Sequence, residues 1–222
     1  MNESNFMPDE DLVRSPDVEG ALYFLSSGSY LLSRSTPDGA MTTKSLAPAD
    51  VATCFMQAPQ DSGWIDAVVR RHGHNHLGSW YLASFPPERV TLLLDEDDPI
   101  KVRIPGTVMF GQGINYFIWA VKESVTGKSK AYHAPFPNVR AGGSICFGRN
   151  TLPEAHHDLA WKVWYLFFES RFNGDLVNGK AQTQQDDVRK LLRKLDGKFF
   201  PVRELVDTGF TIDRLVDRCL SS

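Results

Sequence analysis

The chain has 222 residues, of which 42% are hydrophobic and 23% are charged. This composition is typical of a folded domain and excludes disorder, collagen and coiled coil. The formal net charge of -3, from 24 basic and 27 acidic residues, gives no electrostatic reason to bind nucleic acid or an anionic membrane. The three cysteines form no CxxC pair, so neither a disulfide scaffold nor a structural zinc site is indicated, and a reducing compartment is expected.

The first twenty residues are polar and acidic and contain Pro8 and Pro16, which predicts a flexible N-terminal arm over residues 1–20. This segment carries acids where a signal peptide needs a basic start and an apolar run. No stretch of the sequence approaches the 18 or so consecutive apolar residues of a membrane span. We therefore expect a cytoplasmic protein.

Residues 21–79 are predicted to form an N-terminal hairpin followed by short helices. The apolar runs ALYFLSS and SYLLSRS are separated by Gly28, which favours a hairpin. Pro48 opens PADVATCFMQ, a pattern typical of a short helix. The apolar spacing in SGWIDAVVRRHGHN predicts another short helix.

Residues 80–222 are predicted to form the main α+β domain. Five short runs rich in β-branched and aromatic residues lie too close together for crossover helices, which favours an antiparallel meander. These runs are GSWYLASF, RVTLLLDE, IKVRIP, TVMFGQ and NYFIWAVKE. The following segment, HAPFPNVRAGGSICFGRN, holds two prolines, three glycines and two asparagines in 18 residues. It predicts an irregular, well-defined loop.

Helices are predicted after this loop. Thr151 and Glu154 are spaced as a capping box, which places a helix start there. The helix continues through EAHHDLAWKVWYLFFESRF, and its circumference is mostly apolar, so we expect it to be buried. DDVRKLLRKLDG predicts an amphipathic helix, and FFPVRELVD and TIDRLVDRCL predict two further short ones.

The loop contains the most informative motif of the chain. The motif comprises Phe136, Pro137, Asn138, Gly143, Ser144, Ile145 and Cys146. It resembles the active-site segment of ubiquitin-conjugating enzymes, in which a His-Pro-Asn triplet precedes a Gly-x-Ile-Cys stretch. Asn138 lies eight residues before Cys146, the separation that this family uses. Two positions depart from the pattern: Phe136 replaces the histidine, and Gly148 stands where the family often has an acidic or polar residue.

Within this family the chain is most similar to the bacterial proteins of prokaryotic family D. That group includes protein B of PRTRC systems and the conjugating components of Bil-type antiphage operons, and both subgroups stay open. The resemblance implies a ubiquitin-conjugating-enzyme-like fold: an antiparallel meander, an active-site loop and helices. An N-terminal hairpin and helix extend this fold in place of the eukaryotic leading helix.

The resemblance also implies roles for individual residues. Cys146 is the carrier of a thioester, and Asn138 is the amide that stabilises the oxyanion or braces the loop. His133 is a candidate to replace the hydrogen bond of the missing histidine. Asp175 and Asn178 are candidates to orient the incoming lysine. No cofactor or metal is expected for this chemistry.

The implied function is transfer of a ubiquitin-like modifier from a ThiF-like activating enzyme to a lysine amine, through a thioester on Cys146. ATP is consumed by that partner, since this chain has no phosphate-binding loop motif. A JAB-type metalloprotease is a further implied partner in the same system. Two alternatives remain: a non-catalytic modifier-binding variant of the same fold, and a cysteine hydrolase that uses Cys146 with His133 or His156.

Three histidines in RHGHNH, namely His72, His74 and His76, share the spacing of a metal site on a strand. Gly73 and Asn75 between them indicate a loop instead. No carboxylate or cysteine is close in sequence, so no metal site is predicted from this segment.

Overall fold

The computed structural model describes residues 20–36, 40–58 and 60–221, so the predicted arm of residues 1–20 lies outside it apart from Gly20. The elements in chain order are β1 (Gly20–Phe24), β2 (Tyr30–Ser35), β3 (Met41–Leu46), α1 (Pro48–Gln57), β4 (Gln60–Asp61), β5 (Val69–Asn75), β6 (Gly78–Phe85), β7 (Arg89–Leu94), β8 (Ile100–Arg103), β9 (Gly106–Gln112), β10 (Asn115–Val121), β11 (Lys130–His133), α2 (Ala160–Glu169), β12 (Arg171–Phe172), α3 (Val188–Lys194), β13 (Asp207–Thr211) and α4 (Ile212–Leu220). Short 3-10 turns precede α2 at His157–Leu159 and β13 at Val202–Glu204.

The chain divides into two compact units after Ala58. In the first unit, β1 and β2 pair as an antiparallel hairpin around Gly28, and β3 adds a third strand that the sequence did not predict. Gly28 has φ of 80°, a left-handed conformation that glycine adopts at little cost. The helix predicted from Pro48 is present as α1.

The second unit is built on a seven-stranded sheet in the order β13-β11-β10-β9-β6-β5-β4. The predicted meander is only partly correct, because β6 pairs with β9 rather than with β7. Strands β7 and β8 leave this sheet and join β12 in a separate three-stranded sheet. Pro86 and Pro87 follow β6 and have no amide hydrogen to donate, which disfavours a tight hairpin from β6 into β7.

Strand β5 replaces the short helix that was predicted within residues 62–75, and its histidines lie on a strand rather than a loop. Gly73 explains why this segment pairs closely with β4, since an added Cβ would lie 1.9 Å from the Gln60 carbonyl oxygen. Both strands belong to the seven-stranded sheet. The structure therefore places residues 60–75 with the core unit, whereas the sequence boundary was drawn between residues 79 and 80.

The predicted helix start at Thr151 and Glu154 is wrong, because helical structure begins only at His157. Two long-range hydrogen bonds hold the preceding segment extended. The Tyr116 hydroxyl donates to the Pro153 carbonyl at 2.8 Å, and the Ala155 amide donates to the Gly113 carbonyl at 2.6 Å. Tertiary contacts thus override the local capping signal.

The sheet carries a hydrophobic core on each face. Alternate residues of β6 point to opposite faces, so Tyr81 packs in one core and Leu82 in the other. Helix α2 covers the first core with the buried side chains of Val163, Trp164, Phe167 and Phe168. Helix α4 covers the second face, and α3 is present where it was predicted.

The helix predicted in FFPVRELVD is wrong, since that segment forms only a 3-10 turn before β13. No helix in the described part of the chain combines the length and the apolar character that crossing a membrane requires.

Candidate active site

Residues 138–146 form a small hairpin at the end of the irregular loop. The Arg140 amide donates to the Ser144 carbonyl and the Gly143 amide to the Arg140 carbonyl, each at 2.8 Å. Gly143 has φ of 92°, and a Cβ there would lie 2.3 Å from the indole nitrogen of Trp119. Only glycine therefore fits this turn, which lies directly on Trp119.

The hairpin is joined to strand β10 along its second arm. The Ile145 amide donates to the Tyr116 carbonyl, and the Ile118 amide donates to the Gly143 carbonyl, both at 2.8 Å. An isolated bridge also pairs Ser144 with Phe117. These bonds fix the backbone immediately before Cys146 to the central sheet.

Cys146 lies at the end of this hairpin with an exposed side chain. Its backbone amide donates to the Asn138 carbonyl at 2.7 Å. The next residue, Phe147, is buried and makes edge contacts with Tyr116 and Phe167. The thiol is therefore accessible to solvent, while the backbone on both sides of it is held by hydrogen bonds and core packing.

Asn138 fixes the start of the hairpin through hydrogen bonds of its side chain and its backbone. Its φ of 60° lies in the left-handed region, which asparagine tolerates better than most residues. The side-chain amide, largely buried, donates to the Arg171 carbonyl at 3.0 Å. The backbone amide donates to the Asp175 carbonyl at 3.2 Å. Asn138 thus ties the cysteine hairpin to the segment that follows α2.

A small open cleft brings three of the predicted site residues together, namely Cys146, Asn138 and Asp175. Its remaining walls are Phe147, Gly148, Asn150, Ser170, Arg171 and Asn173. Asp175 is exposed and its carboxylate accepts a hydrogen bond from the Asn173 amide at 3.0 Å. An acidic group therefore lines the same cleft as the exposed thiol.

His133 and Asn178 do not line this cleft. Asn178 is exposed to solvent. His133 is half-buried in β11 and lines a different groove, together with Ala141 and Gly142 at the tip of the hairpin. Burial lowers the pKa of His133, the charge of Lys180 lowers it further, and a hydrogen bond with the Ala141 backbone opposes the shift.

Phe136, at the position of the family histidine, is fully buried. Its ring makes edge contacts with Phe167 and Phe168, at centroid distances of 5.9 and 5.2 Å, and a tilted contact with Phe172. The position is therefore filled by a hydrophobic core residue.

Lys180 is a residue of this region that the sequence did not single out. Its side chain is only 3% exposed, and its Nζ donates to the Val139 carbonyl at 2.5 Å. Burial lowers its pKa to about 8. A lysine in a polar loop normally lies in solvent, so nothing in the sequence pattern signals this contact.

The model of a family described as prokaryotic E2 family D matches residues 43–208, which is most of the chain. The protein is thus a bacterial protein that resembles ubiquitin-conjugating (E2) enzymes. It belongs to prokaryotic E2 family D.

Membership of this family relates the chain to ubiquitin-like conjugation and implies a ubiquitin-like modifier and an activating enzyme as partners. The mixed α+β architecture with mostly antiparallel strands fits an E2-like fold. Searches of curated proteins and of solved structures each returned no match.

Proposed function

We propose that the protein is a conjugating transferase that carries a ubiquitin-like modifier as a thioester on Cys146. The observation that carries this proposal is the exposed thiol at the end of a fixed hairpin, in one cleft with Asn138 and Asp175. A thiol suits the role because thioester exchange costs little free energy and leaves the acyl group activated toward amines.

The reaction has two steps. In the first, the Cys146 thiolate attacks the thioester carbonyl on the activating enzyme, so a new carbon–sulfur bond forms and the enzyme's thiol leaves. In the second, a lysine amine attacks the Cys146 thioester, an amide forms, and the Cys146 thiol is released. The amine loses its proton in this step, and we assign Asp175 to orient the lysine and help accept that proton.

Asn138 is proposed to stabilise the oxyanion of the second step. An amide nitrogen carries two hydrogens, and the bond to the Arg171 carbonyl uses one of them. The second hydrogen is the donor that we assign to the oxyanion. The Asn138 side chain can therefore hold the hairpin in place and stabilise the transition state at the same time.

The remaining predicted residues receive supporting roles or none. We propose that His133 stabilises the tip of the hairpin through a hydrogen bond with the Ala141 backbone. No contact in the described residues favours a role for Asn178. Neither His133 nor His156 lines the Cys146 cleft, which gives the cysteine hydrolase alternative no support.

We further propose that residues 20–58, a hairpin with an added strand and helix, are an extension that precedes an E2-like core in the sequence. We place the protein in a cytoplasmic conjugation system with a ThiF-like activating enzyme and a JAB-type metalloprotease. Such a system is of the PRTRC or the Bil type, which the sequence resembles.

The test is a loading reaction with the cognate activating enzyme, modifier and ATP. Wild type should form an adduct that a thiol reductant cleaves, and Cys146→Ala should form none. Cys54→Ala is the matched control, because Cys54 is also an exposed free cysteine, and it should load like wild type. An undiminished adduct in Cys146→Ala would refute the proposal. Modifier binding without any adduct in wild type would support the non-catalytic variant of the fold instead.

A discharge reaction separates the two steps. Asn138→Ala should load normally and then discharge to a lysine substrate about 10²–10³-fold more slowly, the usual loss for an oxyanion donor. Equal discharge rates in the wild type and the variant would show that Asn138 only braces the loop.

A further inference from the structure

Three consecutive side chains converge at the start of α2. His156 Nδ1 lies 3.4 Å from one carboxylate oxygen of Asp158, and His157 Nε2 lies 3.4 Å from the other. One potential ligand atom from each residue lies within 4.8 Å of those of the other two. The Asp158 carboxylate therefore stands between two imidazole nitrogens.

These distances are close to those of a metal site. A tetrahedral site with bonds of about 2.0–2.1 Å places its ligand atoms about 3.3–3.4 Å apart. The two 3.4 Å contacts reach different oxygens of Asp158, so binding through one oxygen requires a small rotation of the side chains from their present spread of up to 4.8 Å. Two imidazoles and one carboxylate form a donor set that divalent transition metals of borderline softness prefer. A metal ion would compete for His156 Nδ1 with a hydrogen bond from the Asp158 backbone amide. That hydrogen bond is long, at 3.4 Å.

An independent observation comes from a distant part of the chain. His72 of β5 stacks on the ring of His157, with centroids 4.5 Å apart, and the His156 and His157 rings are 4.3 Å apart. His72 thus forms a cluster of three imidazole rings with His156 and His157, although β5 is distant in sequence from the turn before α2. Of the histidines in RHGHNH, His72 joins this group, whereas His74 lies beside the Ser79 hydroxyl.

We propose that His156, His157 and Asp158 bind one divalent transition metal ion such as Zn²⁺, with His72 packed against the His157 ring. The side chains of all three ligands are partly exposed, so an ion and a completing water molecule can enter from solvent. None of these residues lines the Cys146 cleft, so the metal is not part of the conjugation chemistry.

The metal has a structural consequence for the segment between Cys146 and α2. That segment is already attached at Pro153 and Ala155 by their hydrogen bonds to the β9–β10 region. A bound ion would fix the orientation of the His157 ring, which packs on β5 through His72. It would thereby add a third attachment at the helix start.

The experiment uses the full-length protein, freed of metal with a chelator and titrated with Zn²⁺ in competition with a chromogenic chelator. Wild type should bind one ion per chain, and the double variant His156→Gln/His157→Gln should bind it at least about tenfold more weakly. The matched control is His74→Gln/His76→Gln, which removes two histidines outside the cluster and should bind like wild type.

A second variant and a second readout keep the proposal testable if the double variant misfolds. Asp158→Asn should also weaken binding, and Co²⁺ bound to wild type should show the visible absorption of a tetrahedral N/O site that Asp158→Asn lacks. Absence of saturable binding at one equivalent, or equal affinity in wild type and the cluster variants, would overturn the proposal. Neither result depends on whether Cys146 is loaded.

Discussion

Replacing Lys180 with methionine should remove a distinct component of the pH dependence of folding stability. Lys180 is 3% exposed, and its Nζ contacts the Val139 carbonyl within the active-site hairpin. Burial penalises the ammonium form and lowers its pKa from 10.5 to about 8. At neutral pH the folded protein therefore carries a buried charge that costs free energy.

The sign and size of the effect follow from the two pKa values. Between pH 8 and pH 10.5 the unfolded chain binds a proton at Lys180 that the folded chain has lost, so the free energy of unfolding rises with pH. The penalty is fully present below pH 8 and absent above pH 10.5. Each pKa unit is worth about 1.4 kcal/mol, and the whole window corresponds to about 3 kcal/mol.

The assay is urea unfolding of wild type and Lys180→Met from pH 7 to pH 10. The difference between their free energies of unfolding should change by about 2–3 kcal/mol in favour of wild type as the pH rises. Cys219 and Tyr116, whose pKa values burial raises to about 11 and about 12, titrate in both proteins and cancel in this difference.

Lys190→Met is the matched control for this experiment. Lys190 is exposed and paired with Asp186, which raises its pKa above the usual 10.5, so the stabilisation it contributes is lost only above pH 10.5 and should stay constant from pH 7 to pH 10. A difference between wild type and Lys180→Met that stays constant from pH 7 to pH 10 would refute the assignment of a buried, titrating Lys180.

Four substitutions at three positions test the packing at the site and in the core, each by chemical denaturation. Asn138→Ala should destabilise by about 2–4 kcal/mol, because it loses the bond to Arg171 and strains a left-handed residue. Asn138→Gly should cost about 1–2 kcal/mol, since glycine adopts this φ freely; an equal cost for both variants would contradict the strain argument. Phe136→His, which introduces the histidine of the resembled motif, should destabilise by about 3 kcal/mol by placing a polar ring in an aromatic core, and unchanged stability would show that the site accepts histidine. Tyr81→Phe should be neutral or stabilising by up to about 1 kcal/mol, because this buried hydroxyl has no hydrogen-bond partner among the described residues; a large loss would reveal an unseen partner.

Local patterns predicted the type of several elements correctly, although not how they pair. The apolar stripe of DDVRKLLRKLDG became α3, and the β-branched and aromatic runs from Gly78 to Val121 became strands. The failures occurred where distant residues decide the outcome. The capping box at Thr151 gave way to bonds from Tyr116 and Gly113, and Gly73 marks close strand approach rather than a loop.

The candidate site likewise combines residues that a sequence motif predicts with long-range contacts that no motif predicts. Cys146 and Asn138 were predicted from a short motif, and they are joined directly through the backbone. The contacts of Asn138 with Arg171 and of Lys180 with Val139 span 33 and 41 residues. No periodicity or spacing encodes such contacts, because they depend on how the segment after α2 folds back onto the hairpin.

The packing on both sides of the hairpin shows how Phe136 holds it without a polar side chain. Phe136 precedes the hairpin and Phe147 follows it, and both rings make edge contacts with the single side chain of Phe167, at 5.9 and 6.2 Å. Edge-to-face aromatic pairs each contribute about 0.5–1.5 kcal/mol beyond area burial. One residue of α2 therefore anchors both ends of the cysteine hairpin. These apolar contacts hold the hairpin without the hydrogen bond that a histidine would provide. The Cys146 thiol at the end of the hairpin remains exposed to solvent.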